Sequence, residues 1–506
     1  MALLSPSHIA SVAILVFLAF YVSKPSKANP RKFPLPPSPK PDPIVGHALQ
    51  IPIAESWLKF LEWKKQLGNI IYLNAMGQHI IILNSYEVAH ELLGRRAIYS
   101  DRPKLQMASE LSGNSNAYFN LAYNDRWKRY RKLSHSVMHK SAMHKYWTNQ
   151  ADAASDLLRA LLESPKDFYS HVRLMPGKAI LSTVYGIHIE SEEDEYIVMA
   201  EEFSALIAKW GLPGSALVNV FPLLGYIPSW FPGANFKRVA NHLGQLARRL
   251  REQPFQHVKS KITSGVLEPS MTATLINETG GDDEYVSWVS GGMYIAGADT
   301  TASALATFML MMTLHPRIQK KAQEEIDRVV GSNRLPTFKD RENLPYVECI
   351  IKEVLRWYPI APLAVPHRLM EEDYYEGYWM PANSTVIPNV WAMSRDGTIY
   401  KDPEAFYPER FEDKAGNDLL DPRSYIFGFG RRTCVGMHFT DDSMYIVFAY
   451  ILATFDISKL RDDNGVEVEP SVTFNAGLIN RVNPWQCDIR PRSAQAVELI
   501  RSDHST

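Results

Sequence analysis

From Val286 to Leu314 the chain reads VSWVSGGMYIAGADTTASALATFMLMMTL, nearly thirty apolar or small positions with one formal charge, Asp299. A helix that is apolar around its whole circumference must be covered on every side, either by lipid or by the middle of a large core. The flanks favour a core: the charged segments on both sides lack a basic bias, and the helix ends at His315-Pro316. Such a core needs a large domain. Between residues 49 and 500 there is no Gly/Ser-rich linker, no low-complexity tract and no repeat of fixed period, so one large domain is expected. A carboxylate inside such a helix is costly unless it is partnered or neutral, which makes Asp299 a functional candidate.

Around that helix the pattern is mainly helical. Segments near 86–94, 125–139, 150–163, 236–262, 316–331 and 346–357 carry helix-period apolar spacing, several with Gly or Pro at their ends. The stretch Asn69 to Leu83 alternates apolar residues around Gly77 and reads as a hairpin, and short strand-like runs return near 363–369, 384–388 and 470–489. The fold class is mostly α with minor β. A formal net charge of -1 gives no reason to expect nucleic acid as a partner. Three cysteines, Cys349, Cys434 and Cys487, are too few and odd in number for a disulfide framework, so the body of the chain faces a reducing compartment.

At the N-terminus Ile9 to Val22 is uncharged and apolar, and counting back to Ala2 gives roughly the ~20 residues that cross a bilayer. Lys24, Lys27, Arg31 and Lys32 follow, which places the rest of the chain on the cytosolic side. The reading is an uncleaved signal anchor over 1–23, with a cleaved secretory signal as its rival. A proline-rich spacer over 24–48 then favours stiff polyproline II, and residues 49–506 form the catalytic domain.

The densest chemistry lies at Phe427-Gly428-Phe429-Gly430-Arg431-Arg432-Thr433-Cys434-Val435-Gly436. Its glycines let backbone approach a flat ligand, backbone N–H groups can point at a thiolate, and two adjacent arginines should depress the thiol pKa. One cysteine cannot build a zinc or iron–sulfur site, but it suffices where a porphyrin supplies the other four ligands. The stretch resembles the F-x-x-G-x-R-x-C-x-G signature of the cytochrome P-450 superfamily at every fixed position, an accident expected roughly once in 10⁴ chains. From about residue 35 to 490 further motifs follow in that family's order, close to fungal microsomal members of secondary metabolism.

The resemblance implies the cytochrome P-450 fold and haem b, with Cys434 as metal ligand and Phe427 and Gly436 beside it. It implies that Trp127, Arg131, His367 and Arg432 meet the haem propionates, with Arg368 able to share or replace the role of His367. Glu353, Arg356 and Arg410 would form a buried ion triad supporting the cysteine loop; the same E-x-x-R spacing at Glu325/Arg328 and Glu498/Arg501 marks ordinary pairs. Ala296-Gly297-Ala298-Asp299-Thr300-Thr301 matches the family's acid–alcohol motif. There the small residues would leave room for a diatomic ligand, while Asp299 and Thr300 would be catalytic in supplying protons for O–O cleavage. A small-residue packing seam with a back-bonded threonine is the bland alternative.

The activity so implied is insertion of one atom of O₂ into a lipophilic small molecule, an aromatic, indole or terpenoid natural product or a xenobiotic. Electrons would come from NADPH through a separate NADPH-cytochrome reductase, with cytochrome b5 as a further donor. The setting would be membrane lipid at the endoplasmic reticulum, with a single span and a cytosolic catalytic domain. Lys128, Arg129 and Lys132 form a candidate docking face for the acidic donor. Substrate-facing positions by analogy are 105–120, Tyr294, Ala296, Pro362 to Val365 and Asn475 to Ile479. The rival classes are a redox-neutral haem-thiolate isomerase or dehydratase, which tends to lack the acid–alcohol pair, and a non-catalytic haem sensor. The usual His-Asp-Pro is replaced by Arg395-Asp396-Gly397, which puts local loop geometry in doubt.

Overall fold

The structure, a computed structural model, describes residues 29, 32–211, 214–266, 268–412, 419–475 and 477–502. The expected anchor over 1–23 and the first residues of the spacer lie outside the described residues. Helices of nine or more residues are α1 (Ser56–Leu67), α2 (Asp125–Met138), α3 (Trp147–Glu163), α4 (Phe168–Tyr185), α5 (Glu195–Trp210), α6 (Asn235–Thr263), α7 (Met271–Thr279), α8 (Asp283–Leu314), α9 (Pro316–Val329), α10 (Pro345–Trp357), α11 (Met437–Thr454) and α12 (Ala494–Ser502). The strands are β1 (Ile70–Ala75), β2 (Gln78–Leu83), β3 (His367–Arg368), β4 (Asp373–Tyr375), β5 (Tyr378–Met380), β6 (Thr385–Pro388), β7 (Phe455–Ser458), β8 (Phe474–Asn475), β9 (Arg481–Val482) and β10 (Asp488–Pro491). One four-stranded sheet has the order β1-β2-β6-β3; the other strands pair as β4-β5, β7-β10 and β8-β9. The molecule is mostly α with minor β, as expected.

The long apolar segment is the core helix. α8 packs against α4, α6 and α11, and every residue from Thr301 to Thr313 is buried. Its Phe308 ring stacks on Phe448 of α11 at 3.8 Å between centroids. Burial among protein helices therefore replaces the lipid alternative for this segment.

Six helices escaped the periodicity, α1, α4, α5, α7, α11 and α12, and two of them show why. α4 and α11 are buried around nearly their full circumference, so no polar face reveals the helical period, and α4 also carries Pro176 and Gly177 in its interior. Tertiary burial here outweighs the ~3 kcal/mol that an internal proline costs. The β4–β5 hairpin was missed for a different reason. Its turn places Glu376 at φ 49, a left-handed conformation that glutamate seldom adopts, before Gly377 at φ 80. The expected hairpin is present, Ile70 pairing Leu83 around Met76-Gly77, both at positive φ.

The described part of the proline-rich segment lies against the sheets. Pro37 accepts from the Tyr72 N–H at 2.9 Å and Pro34 from the Trp379 N–H at 2.8 Å, while His47 bonds Ser38 Oγ and the Asn74 backbone. In the departing loop, Arg395 stacks on the Trp391 ring at 3.3 Å and donates to the Trp357 carbonyl, and Asp396 pairs with Lys64 at 2.8 Å.

α10 is set by its ends. Glu325 of α9 accepts the N–H groups of Tyr346 and Val347 at 3.0 and 3.2 Å, satisfying donors that a helix start leaves free. Glu325 thus serves as a cap rather than as a partner of Arg328. Near the other end, Glu353 and Arg356 pair through two bonds of 2.7 and 2.8 Å, and Arg410 reaches the same carboxylate at 3.1 Å. Both Glu353 and Arg356 are wholly buried. The remaining guanidinium N–H groups donate to the carbonyls of Ser394, Pro403, Ala405, Lys401 and Asp402, and the Tyr407 N–H donates to Glu353. Glu498 and Arg501 sit on an exterior helix.

Removing the shared carboxylate strands two buried cations. Glu353→Ala is expected to destabilise the fold by about 3–5 kcal/mol, read as a lowered urea midpoint. An unchanged midpoint would show that the triad does not hold this region.

Candidate active site

The cysteine loop is seated by close backbone contact. Gly430 has φ 54, and a Cβ there would lie 2.5 Å from the Gly94 carbonyl oxygen and 2.6 Å from that of Leu93. The loop thus rests directly on the helical turn His90–Arg95, and only glycine allows it. Within the loop the Cys434 N–H donates to the Phe427 carbonyl at 2.7 Å, and Thr433 Oγ1 donates to the Gly430 carbonyl at 2.8 Å. Arg131, one turn after Trp127 on α2, donates to the Thr433 carbonyl at 2.5 Å. Asn124 caps α2 by accepting the Trp127 N–H, which fixes where that turn begins.

Cys434 presents accessible surface although protein closely surrounds its thiol. Burial pushes the thiol pKa up; the Gly436 N–H and the Arg131 charge oppose it. This corrects the expectation that the two neighbouring arginines depress it. Arg431 is exposed and reaches toward the Arg95 carbonyl, while Arg432 turns to the Ser100 and Leu121 carbonyls at 2.7 and 2.8 Å.

Beside the loop the structure collects an excess of buried positive charge. Arg432 stacks on the Trp127 ring at 4.5 Å, and Trp127 Nε1 is buried with no hydrogen-bond partner. His367 is buried with Nδ1 2.8 Å from the Tyr99 carbonyl. Arg102, which sequence reasoning missed, donates to the Val365 and Pro366 carbonyls at 2.7 and 2.8 Å, and its Nε is a further buried unpartnered donor. Burial and mutual repulsion lower the Arg102 guanidinium to about 9; burial lowers Arg432 to about 10 and holds His367 well below its ordinary range. The nearby carboxylate, Asp101, is bonded to Arg368 and the Tyr123 N–H and offsets the Arg102 and Arg432 charges only in part. Arg368 also donates to Asn383 Oδ1, so its cation is already matched, and Arg102 rather than Arg368 stands with His367. Arg102 was hidden by its sequence neighbour: Asp101-Arg102 looks self-neutralising until the fold turns Asp101 onto Arg368.

These donors fit a haem. Orphaned indole and guanidinium N–H groups and under-compensated cations suit two propionate carboxylates, and the accessible sulfur suits the iron.

On α8 the acid and alcohol have partners of their own. Asp299 pairs with Arg481 of β9, and Thr300 Oγ1 donates to the Ala296 carbonyl at 2.8 Å, the back-bonded state. The small residues divide the work. A Cβ on Gly297 would sit 3.0 Å from two atoms of Ile180, so Gly297 serves the α8–α4 contact, whereas Ala296 is exposed within this otherwise buried helix. Thr301 Oγ1 lies 3.5 Å from Thr440 Oγ1 on α11, six residues after Cys434, which brings this stretch of α8 beside the helix that follows the cysteine loop.

A cleft of about 350 Å³ flanks α8, lined by Tyr118, Phe119, Phe203, Trp288 and Ile295, with Arg251 as its cation. Part of the expected 105–120 segment thus lines a cleft. Tyr294 does not: it is fully buried and donates its hydroxyl to the Tyr196 carbonyl at 2.6 Å. Leu363, Ala364, Gly477 and Leu478 line a second cleft of about 320 Å³ beside Trp57. Of the three expected docking cations, Lys128 pairs with Asp125 and Arg129 with Asp282, while Lys132 is exposed.

Residues 36–481 match the family model described as cytochrome P-450. The chain is similar to cytochrome P-450 monooxygenase 176 of Postia placenta, 39% identical with 98% of each chain covered. It is similar to cytochrome P-450 monooxygenase claR of Ampulloclitocybe clavipes, 39% identical over 93% of this chain and 89% of the relative. Cytochrome P-450 monooxygenase COX1 of Coprinopsis cinerea is 36% identical over 97% of this chain and 98% of its own.

Gly430→Ala is expected to unseat the loop and abolish the reduced, carbon-monoxide difference band of a sulfur-ligated haem, with far-ultraviolet circular dichroism retained. Gly397→Ala, where a Cβ meets nothing within 4 Å, should leave that band intact.

Proposed function

Because the chain belongs to the cytochrome P-450 family and is a haem monooxygenase, we propose that it hydroxylates a lipophilic aromatic, indole or terpenoid molecule, with electrons from NADPH through a separate flavoprotein reductase. The observation that carries this reading is the accessible but closely surrounded Cys434 thiol in a loop whose Arg432 stacks on Trp127, with the unpartnered Trp127 Nε1 and Arg102 Nε as free donors. When bound, haem b supplies reductive activation of O₂, one oxygen atom passing to the substrate and the other to water, and thiolate donation favours O–O cleavage.

The protein's own groups do the rest. Cys434 presents its sulfur to the metal, and the Gly436 N–H and Arg131 stabilise the charge on it. Arg102, Arg432 and Trp127 would donate to the propionates, and His367, whose Nδ1–H is taken by the Tyr99 carbonyl, would join them only as the imidazolium that a carboxylate partner favours. Thr300, already bonded to Ala296, keeps its hydroxyl oxygen free to accept, and Asp299 stands next to it to relay protons from solvent. The aromatic wall of the α8 cleft holds an apolar ring system and keeps water out.

The setting follows from the N-terminus: an uncharged run over Ile9 to Val22 followed by basic residues suits a single-pass anchor in the endoplasmic reticulum membrane, with the domain in the cytosol. Ile44, Leu49 and Ile53, the last 92% exposed, come next in the chain and suit contact with lipid. Lys132 and Arg431, both exposed, suit an acidic electron donor, and cytochrome b5 is a second candidate for that face.

Microsomal protein supplied with reductase and a panel of aromatic and terpenoid compounds should give ferric spin-state shifts and mass-identified oxygenated products. Thr300→Ala should divert a large share of NADPH electrons away from product; undiminished coupling would remove Thr300 from proton handling. Reversing the charge of Lys132 and Arg431 should weaken reductase-driven turnover and spare peroxide-driven turnover, and equal losses in both would refute docking there.

A further inference from the structure

The cleft beside α8 has mainly apolar and aromatic walls, and among the described residues that line it Arg251 of α6 is the one that carries charge. Small residues on α8 make its place. A Cβ on Gly291 would lie 3.0 Å from Arg251 Cγ, and a Cβ on Gly292 would lie 3.3 Å from Tyr118 Cβ. The two glycines therefore let α6 and the 105–120 segment close on the same stretch of helix. The Arg251 guanidinium lies over the Trp288 ring, 3.9 Å from its centroid. One face of the cation is taken by an aromatic wall, which leaves the N–H groups in its plane for acceptors.

Those N–H groups are poorly met. Nε is buried with no hydrogen-bond partner, and Nη2 donates to Glu252, the next residue in the chain. Only 17% of the Arg251 side chain is exposed, against 47% for Glu252, so the cation is sheltered while its carboxylate stands half in water. A half-solvated carboxylate on a flexible stem holds such a partner weakly. A carboxylate brought into the cleft would compete with Glu252 for Nη2 and meet the guanidinium where water is scarce.

The same cleft adjoins the surroundings of the cysteine loop. Its Ile295 precedes Ala296, the exposed position of α8. Its Tyr118 stacks on Tyr130 of α2 at 6.1 Å, and burial raises the Tyr118 phenol pKa while the charges of Arg131 and Arg432 pull against it. Arg131 in turn donates to the Thr433 carbonyl, next to Cys434. From Gly291, which seats Arg251, to Ala296 the helix rises by about 7.5 Å.

We infer that Arg251 is a specificity-determining residue: the substrate carries a carboxylate on its apolar ring body, the carboxylate lies against Arg251, and the carbon to be oxygenated lies toward Ala296, remote from the acid. This rests on the hydroxylation proposed above and names the polar handle of its substrate. The aromatic wall would hold the body of the molecule, and the one cation would decide which end points inward.

The test uses two probes of one shape on the haem-loaded protein, biphenyl-4-carboxylate and the neutral biphenyl-4-carboxamide, with Kd read by equilibrium dialysis. Wild type should prefer the acid roughly ten- to hundred-fold, the strength of a hydrogen bond to a charged group. Arg251→Gln should lose that preference and bind the amide as before, and Arg251→Lys should keep most of it. Glu252→Gln removes the competing carboxylate, so it should tighten the acid and leave the amide unchanged. With reductase, oxygen should enter the ring distal to the carboxylate. The inference is overturned if wild type fails to bind the acid or binds acid and amide equally, if Arg251→Gln retains the preference, or if oxygen enters the acid-bearing ring. Should Arg251→Gln not accumulate, Arg251→Met carries the same comparison. Acid binding that needs Arg251, in a protein that oxygenates neither probe, refutes the hydroxylation and keeps the carboxylate site; oxygenation of both probes that is indifferent to Arg251 refutes the carboxylate site alone.

Discussion

Two guanidiniums share one carboxylate in the interior of this protein, and much of the ligand side of the site depends on that arrangement. Glu353 binds Arg356 and Arg410 together, and the two arginines fix the carbonyls of residues 394–405 that lie between α10 and the cysteine loop. Buried ion pairs add little net stability over apolar packing, but a half-removed pair is severely destabilising. Such a group therefore serves geometry. It gives irregular chain, which has no ladder of its own, one arrangement in which every buried donor is met.

The cation pocket obeys the opposite logic. Arg102 and Arg432 are brought together beside His367, with the Asp101 carboxylate bonded to Arg368 and offsetting the two guanidiniums only in part, and burial lowers all three pKa values. In the protein alone this is an unfavourable concentration of charge. A dianionic cofactor relieves it, so affinity for the cofactor and stability of the fold become linked.

Along α8, packing and chemistry alternate within a single turn. Gly297 lets α4 approach, Ala296 opens to the interior, Asp299 leaves for the hairpin, and Thr301 returns to the core against α11. A helix rotates by about 100° per residue, so adjacent positions can answer to different neighbours. That is how a buried helix can carry an acid and an alcohol without losing its packing on either side.

Much of this was legible in the chain. The core helix, the hairpin around Gly77 and five further helices, α2, α3, α6, α9 and α10, follow from apolar periodicity, and the ligand loop follows from local spacing, because both are properties of near neighbours in sequence. The sequence also marked Asp299 as a charge in need of a partner, without naming Arg481. Tertiary structure alone decided which charges meet. It turned Asp101 onto Arg368 and so released Arg102 to the cofactor side, it made Arg131 rather than Arg431 the cation felt by the thiol, it placed Tyr294 in the core, and it paired Asp299 with an arginine 182 positions away. Periodicity encodes which face of an element is apolar, whereas Coulombic and hydrogen-bond partners depend on distances between elements, and no local pattern specifies those.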